Sequence, residues 1–359
     1  MKGTRRNRER SAFSLIELMV AMAILSILMM MLTVLLSQVQ KSYRFSESRI
    51  SQFREARVAF DLMAKNIGQA SLNTYWDMVV SKEGEVQRYA PTSELHFVTM
   101  SDVSRDLPGT VTQSPVGHAV FFQAPLGFSN KYRNLNNLFN GRGYFVAWGS
   151  DENFMPSFVR SKTEARYRYR LMEFRPPAES NQVFQDGYDE RVDGREQVFD
   201  KWYKQALSVG EGTFESHLNP LAENIVAIII SPRDTLEGGG DRSDTYSKIA
   251  PAYAYDSNDP SRNDNPDDEF ASYMQQVPPL LRLTMVAIDE GSAVRMGDGK
   301  GMPGKITKSL SGLFTNSRNF ESDVAELSNR LSGDQDGPSV DYKIFSTLVL
   351  LRSAKWTGK

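Results

Sequence analysis

The chain has 359 residues, 40% of them hydrophobic, a net charge of -2 and no cysteine. That length and apolar content can fill a real core and exclude a disordered tail. The missing thiols remove disulfides, thiolate metal sites and cysteine nucleophiles together, and the weak acidity argues against a nucleic-acid groove.

Residues 1–12 hold Lys2, Arg5, Arg6, Arg8 and Arg10 against Glu9, a net +4 that leaves -6 on the remainder. The positive-inside bias keeps such a leader in the cytoplasm and sends the rest outward. Leu18 to Leu36 is then apolar except for Ser26 and Thr33. As a helix this run spans about 28 Å, close to the hydrocarbon core of a bilayer. Glu17 stands at its head, where a carboxylate costs about 2 to 3 kcal/mol unless something pairs with it. A specific partner for Glu17 is therefore expected. No Ala-x-Ala cleavage site follows Leu36, so the apolar segment stays with the protein.

Beyond the span, Tyr43, Ile50, Phe53, Phe60, Met63 and Ile67 recur at helical steps, with Arg44, Glu47, Arg54, Glu55 and Asp61 elsewhere on the cylinder. One amphipathic face results. Gly68 and Ser71-Leu72-Asn73-Thr74 mark its end, and no proline intervenes between Phe13 and Pro91. The pattern predicts one helix from Phe13 to about residue 67, first greasy all round and then a backrest for a sheet. The alternative is two helices broken near Ser37 to Ser42.

Downstream, β-rich runs alternate with polar loops: Leu95 to Met100, Ala119 to Gln123, Gly143 to Trp148, Tyr167 to Phe174, Ile225 to Ser231, Leu280 to Ile288 and Tyr342 to Arg352. These predict an antiparallel sheet. Strict alternation over Arg166 to Phe174 puts Tyr167, Tyr169 and Leu171 on one face and Arg168 and Arg170 on the other, which reads as a solvated strand face. Val198 to Leu207 and Phe320 to Leu331 read as short helices. The fold class is α+β, a long N-terminal helix packed on an antiparallel sheet with inserted loops.

The stretch Ala12-Phe13-Ser14-Leu15-Ile16-Glu17-Leu18 behind its basic leader resembles the processing site of type IV prepilins and type II secretion pseudopilins. Ala12 stands where that family usually has Gly. The resemblance implies cleavage between Ala12 and Phe13 by a prepilin peptidase, methylation of the new Phe13 amine, and pairing of Glu17 with the amine of a neighbouring subunit. Asn219 to Pro232, Val277 to Val286 and Arg170 to Pro177 resemble late strands of J-type minor pseudopilins, and with the overall length are most similar to the Verru_Chthon cassette protein C family. This resemblance implies a pilin-like fold and a minor subunit. Its partners would be I-like, K-like and major G-like pseudopilins.

Three further motifs carry weaker chemistry. Gly299-Lys300-Gly301-Met302-Pro303-Gly304-Lys305 imitates a phosphate-binding loop, but Ile306 stands where Ser or Thr must ligate magnesium. A flexible loop is the better reading. His96, His118 and His217 lie in separate segments without metal-ligand spacing and read as structural. Asp241 to Glu269 is acidic and reads as a solvated loop without the spacing of an EF-hand. Some pseudopilins hold calcium in a loop between strands, which makes Asp256, Asn258, Asp264, Asp267 and Asp268 the second reading of this stretch.

The sequence thus predicts a cytoplasmic leader over 1–12, a membrane and fibre-core segment over 13–36, an amphipathic extension over 37–70 and an extracytoplasmic domain over 71–359. The expected protein is a single-pass inner-membrane structural subunit with its C-terminal domain in the periplasm, not an enzyme, with no nucleic-acid partner and no cofactor beyond that calcium. A membrane-anchored extracytoplasmic binding protein or enzyme is the alternative.

Overall fold

In the computed structural model the apolar run and the stretch after it form one helix, α1, over Leu15–Ile67. The structure describes residues 14–81, 84–107, 109, 113–133, 138–180, 202–204, 207, 217–233, 249–258, 275–297, 299–333 and 337–354. Its contacts divide into two units, Met1–Ser51 and Gln52–Lys359.

In the first unit, Leu15–Tyr43 has 29 residues with a mean hydropathy of 2.7, long and apolar enough to cross a membrane. Its large side chains are exposed all round, Leu18, Leu25, Leu28 and Leu36 among them. Such a surface suits lipid or another apolar helix rather than water. The polar interruptions are satisfied within the helix: Ser26 Oγ and Thr33 Oγ1 donate to the carbonyls of Met22 and Met29, each at 2.8 Å. Neither leaves an unpaired group in the apolar stretch. Tyr43, expected on the amphipathic face, is instead exposed at the end of this stretch. The side chain of Ile50 lies outside the described residues.

In the second unit, the last turns of α1 bury Ala56, Ala59, Phe60, Met63 and Ile67, with Phe53 half-buried. The two alanines let the helix approach the sheet closely, and Phe60 meets Phe345 with ring centroids 5.8 Å apart. Gly68 closes the helix by donating its amide to Ala64 O at 3.0 Å.

Eleven described strands follow: β1 Tyr75–Val80, β2 Val86–Thr92, β3 Val98–Met100, β4 Gln113–Ala124, β5 Asn140–Ser150, β6 Tyr167–Phe174, β7 Leu218–Glu223, β8 Ile225–Arg233, β9 Tyr255–Asp256, β10 Leu280–Ile288 and β11 Tyr342–Leu350. Every pairing is antiparallel. They form a β1-β2 ribbon, a three-stranded sheet in the order β11-β10-β8, and a six-stranded sheet in the order β7-β6-β5-β4-β3-β9. The α+β class read from the sequence is the observed one.

Helices α2 (Glu290–Arg295), α3 (Gly304–Leu310) and α4 (Phe320–Ser332) lie between β10 and β11. The last matches the helix expected over Phe320 to Leu331 and buries Phe320, Leu327 and Leu331. Of the helix expected over Val198 to Leu207, residues 202–204 and 207 are helical, and the others lie outside the described residues.

One expectation is overturned. Arg168 and Arg170 do not face water; they are 3% and 1% exposed. β6 is an interior strand, paired with β5 on one side and β7 on the other, and both its faces are covered. The charges survive burial because each has acidic partners. Arg168 Nη2 meets Glu290 Oε1 at 3.1 Å, and Arg170 Nε meets Glu223 Oε1 at 3.1 Å. Arg170 Nη1 also donates to Gly149 O at 2.8 Å.

The flexible-loop reading of Gly299 to Lys305 also fails at its end, since Gly304 opens α3. Lys305 is buried and donates from Nζ to Gly333 O at 2.6 Å, so it braces the fold instead of facing a phosphate.

Candidate functional site

The start of α1 is built on the spacing Ser14-x-x-Glu17. The Ser14 amide donates to Glu17 Oε2 at 3.0 Å, and the Leu18 amide donates to Ser14 O at 3.2 Å. This is the returning half of a capping box, in which an acid at the third helical position satisfies an amide that has no partner inside the helix. The helix dipole also favours a carboxylate in the first turn. These two effects together amount to about 1 kcal/mol, against about 2 to 3 kcal/mol for an ionised acid in an apolar span. The local contacts therefore hold the carboxylate in place without offsetting its burial in an apolar medium. Ala12 and Phe13 lie outside the described residues.

In the second unit the polar chemistry is interior. Asn66 of α1 donates from Nδ2 to the Tyr144 hydroxyl at 2.8 Å, and that hydroxyl donates to Glu173 Oε1 at 2.8 Å. Arg142 Nη1 lies 3.3 Å from the same carboxylate oxygen. Burial and the neighbouring carboxylate of Glu173 push the Tyr144 phenol well above its usual range, so it stays a neutral donor. Nearby, Asn224, at φ 60°, turns the chain from β7 into β8 and donates from Nδ2 to Glu290 Oε2 at 2.7 Å. Its carbonyl accepts from the Ile288 amide at 2.9 Å, tying β10 of one sheet to the corner of the other. Asn66, Arg142, Tyr144, Glu173, Asn224 and Glu290 carry no sequence signal, since partners 29 to 122 residues apart leave no local pattern.

The three histidines are not brought together. His96 is buried with Nε2 2.7 Å from Asp256 Oδ1, and Trp202 Nε1 donates to its Nδ1 at 3.4 Å. His118 is buried elsewhere and accepts at Nδ1 from the Ile230 amide at 3.3 Å. His217 stands edge-on to Phe174, with centroids 6.4 Å apart. Of the calcium candidates, Asp256 is engaged by His96 and by the Asn258 amide at 2.8 Å, and Asn258 Oδ1 accepts from Gln275 Nε2. Asp264, Asp267 and Asp268 lie outside the described residues. Among the described residues no group of three or more His, Asp or Glu side chains could hold a metal ion.

Glu17 stands at the head of an exposed apolar helix, and that is where the likeness to known proteins falls. Residues 7–33 match the prokaryotic N-terminal methylation motif. The N-terminus is prepilin-type. The match covers residues 7–12 of the leader, Phe13, Glu17 and most of the apolar run, and leaves the body unmatched. No curated protein matches the chain. A prepilin-type N-terminus implies processing by a prepilin peptidase and assembly with other pilin-like subunits. The apolar helix behind it fits anchoring in a membrane.

Proposed function

We propose that this protein is a minor pseudopilin, a structural subunit that leaves the inner membrane to join a type II secretion-like or type IV pilus-like fibre. Prepilin peptidase cleaves between Ala12 and Phe13, and the freed Phe13 amine is methylated. The leader stays on the cytoplasmic side and the body over 71–359 faces the periplasm. In the fibre, apolar α1 stems replace lipid around one another, and Glu17 meets the Phe13 amine of the adjacent subunit. Because an unpaired charge in that medium is costly, only registers that bring amine and carboxylate together are stable.

The observation that carries this reading is the Glu17 carboxylate, set in a helix of 29 apolar-span residues with the Ser14 amide at 3.0 Å. The sequence likeness of Asn219 to Pro232, Val277 to Val286 and Arg170 to Pro177 to J-type subunits supports a place at the fibre tip. Its partners there are I-like and K-like subunits above a major G-like one. Glu17→Ala tests the proposal: membrane insertion is unchanged, while incorporation into fibres falls sharply. A normal fibre yield from this variant contradicts it.

A further inference from the structure

A β-bulge re-aims a side chain that regular pairing would leave on the strand face. β4 breaks register with β5 between Val116 and Ala119, and the residues set out of register are Gly117, at φ 70°, and His118. The buried His118 ring reaches from the six-stranded sheet to β8 of the three-stranded one, where Nδ1 accepts from the Ile230 amide at 3.3 Å. The proton of the neutral ring is therefore on Nε2. The ring also hydrogen-bonds the backbone at Phe314, and the Tyr253 ring stands edge-on to it with centroids 4.9 Å apart.

The two residues held against that ring are strained. Tyr253 has φ 63° and Phe314 φ 56°, a left-handed backbone that is costly for a bulky side chain, and both are buried. Their segments are tied to each other: the Ser317 amide donates to Pro251 O at 2.8 Å, and the Tyr253 hydroxyl reaches Asn316 O at 3.5 Å. Thr99 Oγ1 of β3 donates to Tyr253 O at 2.9 Å, and the Phe314 amide donates to Asp323 Oδ2 of α4 at 2.8 Å. Strain of this kind persists only where the surroundings over-determine it. His118 is the member of those surroundings whose hydrogen bonding reverses on protonation.

We propose that His118 is an acid-released latch, and that its protonation frees residues 249–257 and 313–317 together from the seam between the two sheets while the strands stay folded. In the cation both ring nitrogens are donors, so Nδ1–H faces the Ile230 N–H and that hydrogen bond is lost. A charge then stands in a buried site, and the freed segments relax to ordinary φ. The charged and titratable groups nearby decide the sign. The Asp102 carboxylate favours the cation, but burial outweighs it. Tyr253 stays a neutral phenol, pushed up by burial and by Asp323 of α4, while Arg233 of β8 and Arg282 of β10 act on it the other way. The closed state thus refuses a proton that the open state accepts: closure is fully favoured above pH 6.5 and weakens as pH falls to about 4. The latch is independent of how the apolar stem assembles.

Hydrogen exchange of the full-length protein in detergent micelles tests this, with rates corrected for the intrinsic pH dependence of amide exchange. Peptides from 249–257 and 313–317 are expected to exchange faster than those of β5 at every pH, because they open without global unfolding. Their opening should rise about tenfold per pH unit below 6.5, reach about a hundredfold by pH 4 and level off beneath. His118→Gln keeps an acceptor for the Ile230 amide and cannot titrate, so it should abolish the rise while leaving exchange at neutral pH near that of the parent. A rise that persists in His118→Gln overturns the proposal. So does exchange of the two segments at the rate of β5, which means that they open only when the whole body unfolds. If His118→Gln does not fold, the parent profile decides alone: a flat profile, or a rise confined to pH below 4, overturns the latch.

Discussion

Asn66, in the last turn of α1, donates to the hydroxyl of Tyr144 in β5 at 2.8 Å, joining the helix to the six-stranded sheet through a group with no exposure to solvent. The hydroxyl passes the interaction on to Glu173, which Arg142 also approaches. Removing the oxygen alone leaves the Asn66 amide without an acceptor and deprives a buried carboxylate of a donor. Tyr144→Phe is expected to destabilise the body by about 2 to 3 kcal/mol, more than an exposed hydroxyl of the same kind. Denaturant unfolding of the variant in detergent measures this.

The buried arginines give a second expectation. Arg170 is held by Glu223, by Gly149 O and, at 3.9 Å, by Asp151. Glu223 keeps about a third of its side chain in water, which limits the cost of losing the cation. Arg170→Ala should cost about 2 to 3 kcal/mol through the cavity and the stranded acids. Arg57→Ala, which breaks an exposed pair with Asp61 at 3.1 Å, should cost under about 0.5 kcal/mol. Equal effects of the two substitutions on the unfolding midpoint would refute the assignment of Arg170 as a buried ion.

His118 makes stability depend on pH. Burial lowers its pKa to about 4 from an ordinary 6.5, with the Asp102 carboxylate acting the other way, while the Ile230 amide that donates to Nδ1 also favours the neutral ring. Between these values the unfolded chain takes up a proton that the folded chain refuses. Stability therefore rises with pH from about 4 to 6.5 and levels off above, with a slope of at most about 1.4 kcal/mol per unit from this residue. His118→Gln retains an acceptor for the Ile230 amide and cannot titrate, so its unfolding free energy should be flatter over the same window. An unaltered slope would show that other groups cause it.

Local pattern revealed what local physics controls. The apolar run, the amphipathic turns holding Phe53, Phe60, Met63 and Ile67, and strands such as Tyr167–Phe174 and Leu280–Ile288 were legible because periodicity and burial agree there. The missed strands break that agreement: β7 includes Pro220, β9 is two residues long, and the β1-β2 ribbon leaves Trp76 and Tyr89 exposed. Alternation in β6 located the arginine face correctly but could not decide between solvent and ion pairs, because Glu223 and Glu290 lie 53 and 122 residues from their partners. At the candidate site the reverse holds. Glu17 stands out in one dimension, since a single acid in an apolar run needs no tertiary context to be conspicuous.

The most direct test is mass spectrometry of the N-terminal peptide of the protein recovered from its native membrane. The account predicts a peptide that begins at Phe13 and carries one methyl group on its amine. A peptide beginning at Met1, with Lys2, Arg5, Arg6, Arg8 and Arg10 still attached, would contradict it.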